Sequence, residues 1–416
     1  MPSGSSFVSD GGDRSGAGTT VRAGSPGEPR PVTEPPLPNV HNPIVTTDVM
    51  NSDSGSVLTV TGPIDPDDLG VTLPHEHLFA DWTDRYEPPD SAFDRRRSRE
   101  PISLENLGFV HRNKSAHEGN LRLDSYDEAI DEVTHYRNVG GETIVEVTPK
   151  NVASDPTHLR HLARQTGLNV VHGTAYYNKR NSDLPDRLST AGIEDIEAEF
   201  VSDVREGIDD TDVRAGLVGE IGLSDRIYDV EEKVLRAGAR AAAATGVPLM
   251  VHPPGGSIES QRDGTYPSSR WGLEVLDIVE EEGLDPGRVV LAHQDRSRWN
   301  EDLDNQKEIA ERGAYVEYDL FNGKLAHYKP NSRDAYPSDV ERAERIVELI
   351  EAGYGSQLLL SQDVYLKIHR RAYGGFGYAH VLENVVPILR ALDATDRQID
   401  RLLIDNPRDV LTVREV

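Results

Sequence analysis

Cysteine is absent from this sequence, and lysine is scarce, with eight residues in 416. Without thiols the chain forms no disulfides and offers no thiolate ligands, so a metal site would have to use histidine and carboxylate side chains. No run of 18 apolar residues occurs, and the N-terminus lacks the apolar segment of a secretory signal. We therefore expect a cytoplasmic protein that does not associate with membranes.

Positive charge is also in short supply. Asp and Glu total 72 against 44 Lys and Arg, which gives a formal net charge of −28. Such a charge argues against nucleic acid and anionic membranes as partners. In molar salt the Debye length falls to about 3 Å, so repulsion among surface carboxylates is screened. The composition favours a halophilic protein over one whose acidic surface has no special meaning.

The chain divides into a tail and one predicted domain. Residues 1–55 are rich in Gly, Ser, Pro and Thr and lack hydrophobic periodicity, which predicts a disordered tail. Over residues 56–416 short apolar strands alternate with helices. The predicted helices are 126–139, 156–166, 193–207, 230–245, 271–283, 303–312, 338–353, 379–393 and 396–412. After the strand that ends at His75, the predicted strands are 143–148, 169–174, 215–221, 248–252, 288–293, 314–319 and 357–363.

Eight strands of this kind favour a single-domain α/β fold, the (β/α)8 TIM barrel. Continuous apolar runs such as Leu358, Leu359 and Leu360 are typical of parallel strands that are buried on both faces. A doubly wound open sheet is the alternative, but no glycine-rich phosphate loop opens any of the predicted helices.

Ionisable residues recur where these strands end. His75 and His77 are spaced two apart, so an extended strand directs both imidazoles to one face. Burying such groups beneath apolar strands is costly unless they are paired or bound to metal. The predicted metal ligands are His75, His77, Glu220, His252, His293 and Asp363.

Four imidazoles and two carboxylates exceed what one four-coordinate ion needs, so we expect two divalent metal ions per chain. Nitrogen and oxygen donors suit zinc, manganese, cobalt or iron, of which we favour zinc. A hydroxide that bridges the ions would be the nucleophile. Asp363 is the predicted catalytic residue, because it would hold this nucleophile and carry its proton to the leaving group.

Several segments resemble the phosphotriesterase-related branch of the amidohydrolase superfamily, and they run in the same order from about residue 57 to the C-terminus. These segments are 70–78, 140–148, 215–222, 245–252, 293–295 and 360–363. The resemblance implies that His75, His77 and Asp363 hold the more buried ion, that His252 and His293 hold the more exposed one, and that Glu220 bridges them.

The bridging position identifies the subgroup that the chain resembles. In the true phosphotriesterases and their lactonase relatives, the bridge is a carboxylated lysine one position before Glu220, where this chain has Gly219. The chain is therefore similar to the subgroup with a glutamate bridge. The resemblance also suggests a homodimer.

A local basic cluster follows Asp363, although the chain is acidic overall. Lys367, His369, Arg370 and Arg371 belong to it, and Tyr177 and Lys179 follow the third strand. These groups could bind an anionic substrate through charge-assisted hydrogen bonds, or they could pair with surface carboxylates. The predicted substrate-binding residues are Arg370, Arg371, Tyr177 and Lys179.

The leading functional hypothesis is a binuclear hydrolase of small-molecule esters, such as lactones or carboxylic esters, with phosphotriesters as further substrates. A cyclic-amide hydrolase or a deaminase of the same superfamily is the second hypothesis. A catalytically inactive binding protein on the same barrel is the third, and the complete ligand set argues against it.

Salt dependence tests the inference from composition. Lowering the salt concentration from molar to tens of millimolar lengthens the range of carboxylate repulsion, so we expect the protein to lose structure. Far-ultraviolet circular dichroism measures this loss, and an unchanged spectrum and melting temperature at low salt would contradict halophilic adaptation.

Overall fold

The computed structural model describes residues 53–179, 181–224, 227–254, 271–296, 303–321 and 337–416. The predicted disordered tail, residues 1–55, therefore lies almost wholly outside the described residues. Within those residues, no helix is long and apolar enough to cross a membrane.

Eight parallel strands form one sheet, and their order in the sheet is their order along the chain. They are β3 (Thr72–Glu76), β6 (Thr143–Glu146), β7 (Asn169–Thr174), β8 (Leu217–Gly222), β9 (Leu249–His252), β10 (Val289–Leu291), β11 (Tyr315–Tyr318) and β12 (Leu358–Leu360). Helices separate most of them, and their side chains are buried on both faces. The prediction of a (β/α)8 barrel is confirmed.

Each predicted helix has a counterpart, and the short helices at 92–97, 107–112 and 187–190 were not predicted. The helices are α1 (Ala92–Arg97), α2 (Leu107–Arg112), α3 (Tyr126–Asn138), α4 (Pro156–Thr166), α5 (Arg187–Thr190), α6 (Ile193–Arg205), α7 (Asp229–Thr245), α8 (Trp271–Glu281), α9 (Asp304–Glu311), α10 (Asp339–Glu351), α11 (Val386–Ala391), α12 (Asp396–Asp400) and α13 (Asn406–Leu411).

Helix α4 shows how the local sequence sets these boundaries. The Asp155 side chain accepts a hydrogen bond from the His158 backbone N–H, and Pro156 follows at the first helical position, where no N–H is needed. Gly167 ends the helix in the left-handed conformation at φ 71°. Between these two ends, Leu159 and Leu162 pack into the core. The capping residues and the apolar residues therefore define the same helix.

The barrel is closed by side chains between its first and last strands. Ser361 Oγ donates to the carbonyl oxygen of His75 at 2.8 Å and lies 2.7 Å from Glu76 Oε1. Glu76 also accepts from the backbone N–H groups of Gln362 at 3.1 Å and Val364 at 2.8 Å. A buried carboxylate thus joins β3 to the segment that follows β12.

Four short strands were not predicted from the sequence. The strands β1 (Val57–Thr59) and β2 (Gly62–Ile64) form a hairpin, and β4 (Ala80–Asp81) pairs with β5 (Arg122–Leu123). Strands of two or three residues are too short to show an alternating pattern.

The two closing helices are also less regular than predicted. A π-helical turn at Val381–Val385 precedes α11, and another at Arg401–Asp405 precedes α13. Each following helix has a proline near its start, Pro387 or Pro407. Proline lacks an N–H and clashes with the carbonyl four residues earlier, so the regular hydrogen-bond ladder is interrupted there.

Removing the closing carboxylate tests its contribution to stability. We expect Glu76→Ala to lower the free energy of unfolding by about 2 kcal/mol or more, because the buried N–H groups of Gln362 and Val364 lose their acceptor at about 1–3 kcal/mol each. Urea unfolding of the metal-free protein at fixed salt measures this change. Glu351→Ala, at an exposed position near the end of α10, is the control, and equal midpoints for the two variants would refute the role of Glu76.

Candidate metal centre

The structure brings the six predicted ligands together at the C-terminal end of the barrel. His75 lies in β3 and His77 just beyond it, Glu220 lies in β8 and His252 ends β9. His293 and Asp363 follow β10 and β12 closely. All six side chains are buried, with His252 the most exposed at 7 %.

The donor atoms converge in two groups. One contains His75, His77 and Asp363, the other contains Glu220, His252 and His293, and the donor atoms within each group lie within 4.8 Å of one another. His77 Nε2 is 3.3 Å from Asp363 Oδ1, and His252 Nδ1 is 2.8 Å from His293 Nε2. Two groups agree with the expectation of two ions.

Glu220 lies between these groups. Its Oε2 is 3.5 Å from His75 Nε2, 3.2 Å from His252 Nδ1 and 3.8 Å from His293 Nε2. Its Oε1 is 3.8 Å from His77 Nε2. One carboxylate therefore faces imidazoles of both groups, which is the position a bridging ligand would need.

The residues present fit divalent cations. Within the described residues, the buried His75 Nε2 has no hydrogen-bond partner, although it points toward a carboxylate and other imidazoles. A buried nitrogen without a partner is costly, and a bound cation would satisfy its lone pair. Imidazole nitrogens and carboxylate oxygens together are the donor set of zinc and related metals.

The electrostatics give four of the six donors the protonation states that metal binding requires. Burial lowers the pKa of His77, and it holds the pKa values of His252 and His293 well below their ordinary value, so these imidazoles are neutral. Burial raises the pKa of Asp363, but His77, His75 and His293 outweigh it and hold that pKa below its usual range. Neutral imidazoles and an ionised carboxylate are the metal-binding forms.

Glu220 and His75 show the cost of assembling these groups without a cation. Burial raises the pKa of Glu220 to about 8, and the charge of Asp363 adds to the rise. Burial lowers the pKa of His75, but Glu220, Glu317 and Asp319 outweigh it and raise that pKa well above its ordinary value. A divalent cation would offset the repulsion among the carboxylates.

Two carboxylates that the sequence analysis did not single out orient the imidazoles. Glu317 Oε2 lies 3.0 Å from His75 Nδ1, and Asp319 Oδ1 lies 2.7 Å from His293 Nδ1. Asp319 Oδ2 also accepts from the His293 backbone N–H at 2.9 Å. Both carboxylates are fully buried at the end of β11, and their spacing of two residues was a signal available in the sequence.

Asp319 could itself be a ligand, since its oxygens lie near both His75 and His293. Its oxygens, however, approach the Nδ1 atoms of these rings, at 3.4 Å from His75 and 2.7 Å from His293. The Nε2 atoms face Glu220 instead. We therefore interpret Asp319 as a support that fixes ring orientation, as carboxylates commonly do behind metal-bound imidazoles.

An aromatic wall, defined as Trp82, Tyr177 and Tyr365, adjoins the centre. The Trp82 ring lies 5.3 Å from that of His77 and 5.1 Å from that of Tyr177. Tyr177 stands 5.1 Å from the His252 ring, with its hydroxyl 3.4 Å from Nδ1. Of the predicted substrate-binding residues, the structure thus places Tyr177 at the centre.

The predicted substrate-binding cations have other contacts. Arg370 is fully buried and donates to the Leu78 carbonyl oxygen at 2.7 Å and to Glu128 at 3.4 Å. The Lys179 ammonium lies 5.4 Å from the Tyr228 ring centre, and Arg371 is exposed in a short turn. These contacts favour the alternative that basic residues near Asp363 serve the surrounding loops, a distinction that sequence order alone could not make.

Comparison with known proteins gives a consistent picture. The model of the Phosphotriesterase family matches residues 55–411. An N-acetyltaurine hydrolase from Danio rerio is 36% identical over 362 residues, which cover 86% of this chain and 99% of that protein.

Solved structures agree with the fold. A resiniferatoxin-binding protein from Rhodobacter sphaeroides is 38% identical, with a TM-score of 0.78, over 86% of this chain and 95% of its own. A lactonase from Listeria monocytogenes is 21% identical, with a TM-score of 0.68, over 86% of this chain and 99% of its own. At that identity the second likeness shows the fold alone.

Zinc affinity tests whether Asp319 fixes the orientation of the His293 ring. We expect Asp319→Asn to raise the dissociation constant for zinc by about 10- to 100-fold, because the imidazole loses the carboxylate that orients it. Competition with a chromophoric chelator measures the affinity. The control is Asp203→Asn, which alters a buried carboxylate bonded to Thr174 and Lys150. Unchanged zinc affinity in Asp319→Asn would refute the assignment.

Proposed function

The chain belongs to the phosphotriesterase family of binuclear metal hydrolases, and from that premise we propose that it cleaves the amide bond of a small N-acyl compound such as N-acetyltaurine. The observation that carries this proposal is the buried six-residue centre. The amide preference rests on near full-length similarity to proteins named for that substrate.

We assign one ion to His75, His77 and Asp363 and the other to His252 and His293, with Glu220 between them. This division follows the two groups of donor atoms. Zinc is favoured, with manganese, cobalt and iron as alternatives. When bound, two such ions polarise a carbonyl and lower the pKa of water.

Asp363 is the proposed catalytic residue. Its pKa is held below the usual range, so the carboxylate is ionised at neutral pH and can accept a proton from the attacking water. An amide nitrogen leaves poorly unless it is protonated. Asp363 would therefore deliver that proton to the nitrogen as the C–N bond breaks, which produces a carboxylic acid and an amine.

We infer that Tyr177 orients the substrate carbonyl, since its hydroxyl lies beside His252. Burial raises the pKa of Tyr177, so its hydroxyl keeps its proton and remains a donor beside His252. The neighbouring indole of Trp82 is buried and apolar on its faces, so it would limit the access of bulk water.

Hydrolysis of esters and lactones, expected from the sequence, is the second candidate. An alkoxide leaves more readily than an amine, so the arrangement that cleaves an amide would also suit an ester. The single hydrolase domain over residues 56–416, the homodimer and the halophilic character likewise remain proposals.

A substrate panel with an Asp363 variant tests the proposed function. We expect zinc-loaded wild-type protein to hydrolyse N-acetyltaurine faster than aryl esters, lactones and phosphotriesters. Asp363→Asn should lower kcat by about 10²- to 10⁴-fold, because proton transfer to the leaving nitrogen is lost. Amine release measures the rate, and metal content is determined for each variant.

Two controls accompany this panel. Asp124→Asn changes an exposed carboxylate that pairs with Lys367 at 3.0 Å, and it should leave the rate unchanged. His75→Ala should abolish activity, so a signal that survives it indicates a contaminant. Hydrolysis of lactones but not of N-acetyltaurine would replace the amide proposal with the ester candidate.

A further inference from the structure

We propose that Arg85 binds the anionic group, a sulfonate or carboxylate, of an N-acyl substrate and thereby sets the preference for anionic amides. This inference rests on the proposed amide hydrolase function. It moves anion recognition from the loop after β12, where the sequence suggested it, to the loop after β4.

Arg85 ends a short 3-10 turn, Thr83–Arg85, directly after β4 and Trp82. Its guanidinium carbon lies 5.3 Å from the Trp82 ring centre and 5.7 Å from that of Tyr365. The Trp82 and Tyr365 rings are themselves 6.2 Å apart, edge to face. Two rings of the aromatic wall therefore hold the cation.

The same wall connects Arg85 to the metal centre. Trp82 contacts both the guanidinium and the His77 ring, and it also contacts Tyr177, which stands beside His252. The guanidinium is thus one aromatic ring removed from His77 and two removed from His252. A substrate of a few bonds could place its amide at the centre and its anion at Arg85.

Among the described residues, no carboxylate neutralises the charge of Arg85. In the part of the chain that the structure describes, no Asp or Glu lies within ion-pair distance of its guanidinium, although the chain has 72 acidic residues. By contrast, Arg122 pairs with Asp81 in the adjoining strands β5 and β4. Arg85 is partly exposed, so a ligand that enters the site can reach its N–H donors.

Positive charge is concentrated on this side of the site, because the Arg85 guanidinium adjoins Trp82, which contacts the His77 ring. Arg296, which follows His293, is a second cation on this side of the site. These two cations would attract an anionic substrate, although the net charge of the whole chain is strongly negative.

Trp82 supplies a second donor beside Arg85. Its side chain is only 2 % exposed, and among the described residues its indole Nε1–H has no acceptor. Buried indole N–H groups usually find a partner. A sulfonate has three acceptor oxygens, so it can accept from the guanidinium fork and from an indole at once.

The aromatic wall also suits the rest of such a substrate. Tyr177 would face the scissile carbonyl, and the ring of Trp82 would pack against the two carbons between the amide nitrogen and the anion. A neutral ester or lactone would not engage Arg85. The arrangement therefore distinguishes anionic amides from neutral substrates of similar size.

The test compares charged and neutral substrates of matched length on the zinc-loaded full-length chain. In Arg85→Gln we expect KM for N-acetyltaurine to rise about 10- to 100-fold, since charge-assisted hydrogen bonds are lost, while kcat changes little. KM for N-acetylethanolamine, which is neutral, should stay within about twofold of the wild-type value. Arg85→Lys should fall between, because it keeps the charge but not the planar fork.

Arg97→Gln is the matched control. Arg97 also stacks on an aromatic ring, Phe109 at 4.6 Å, but it pairs with Asp94 in α1 and lies outside the proposed site. We expect it to leave both KM values unchanged. Equal losses on the charged and neutral amides in Arg85→Gln would show a structural role and overturn the inference, as would no loss on either.

A binding measurement separates this inference from the proposed function. Calorimetric titration with ethanesulfonate should show binding to the wild-type protein and at least tenfold weaker binding to Arg85→Gln. If the wild type hydrolyses neither amide, the proposed function fails, and the titration alone decides Arg85. Equal affinity in both proteins, or no binding to the wild type, would then overturn the assignment.

Discussion

The burial of like charges is the constraint on which this structure depends. Glu220, Glu317, Asp319 and Asp363 lie together, buried, at one end of the barrel. Four carboxylates in so small a buried volume repel one another, and the imidazoles between them compensate only in part. Divalent cations would remove most of this repulsion. The fold therefore creates a demand for positive charge that its own side chains do not meet.

Three consecutive residues connect the metal centre to the contact between the first and last strands of the barrel. His75 and His77 direct their side chains toward the centre, whereas Glu76 between them joins the first strand to the segment after the last. The alternation of side chains along a strand makes this possible. The seam of the barrel and its centre are thus built from one short stretch of chain, so neither can shift far without the other.

The strand and helix pattern and the six converging residues could be predicted from the sequence, because strand periodicity and barrel geometry decide where strand ends meet. The supporting carboxylates could not be assigned so readily. Glu317 and Asp319 lie in a predicted strand, but nothing local shows that they approach His75 and His293. Arg370 and Arg85 illustrate the same limit. Only the folded chain shows that Arg370 pairs with Glu128 and that, among the residues that the structure describes, Arg85 has no acidic partner.

Glu220 has a consequence for how the centre is assembled. A carboxylated lysine becomes a ligand only after carbon dioxide has reacted with its amine, so a centre of that kind depends on dissolved bicarbonate and on a reversible modification. A glutamate between the two donor groups needs no such modification, so it can act as a ligand as soon as the chain has folded. Assembly of this metal centre would then require only metal ions, and it would not depend on the bicarbonate concentration in the cell.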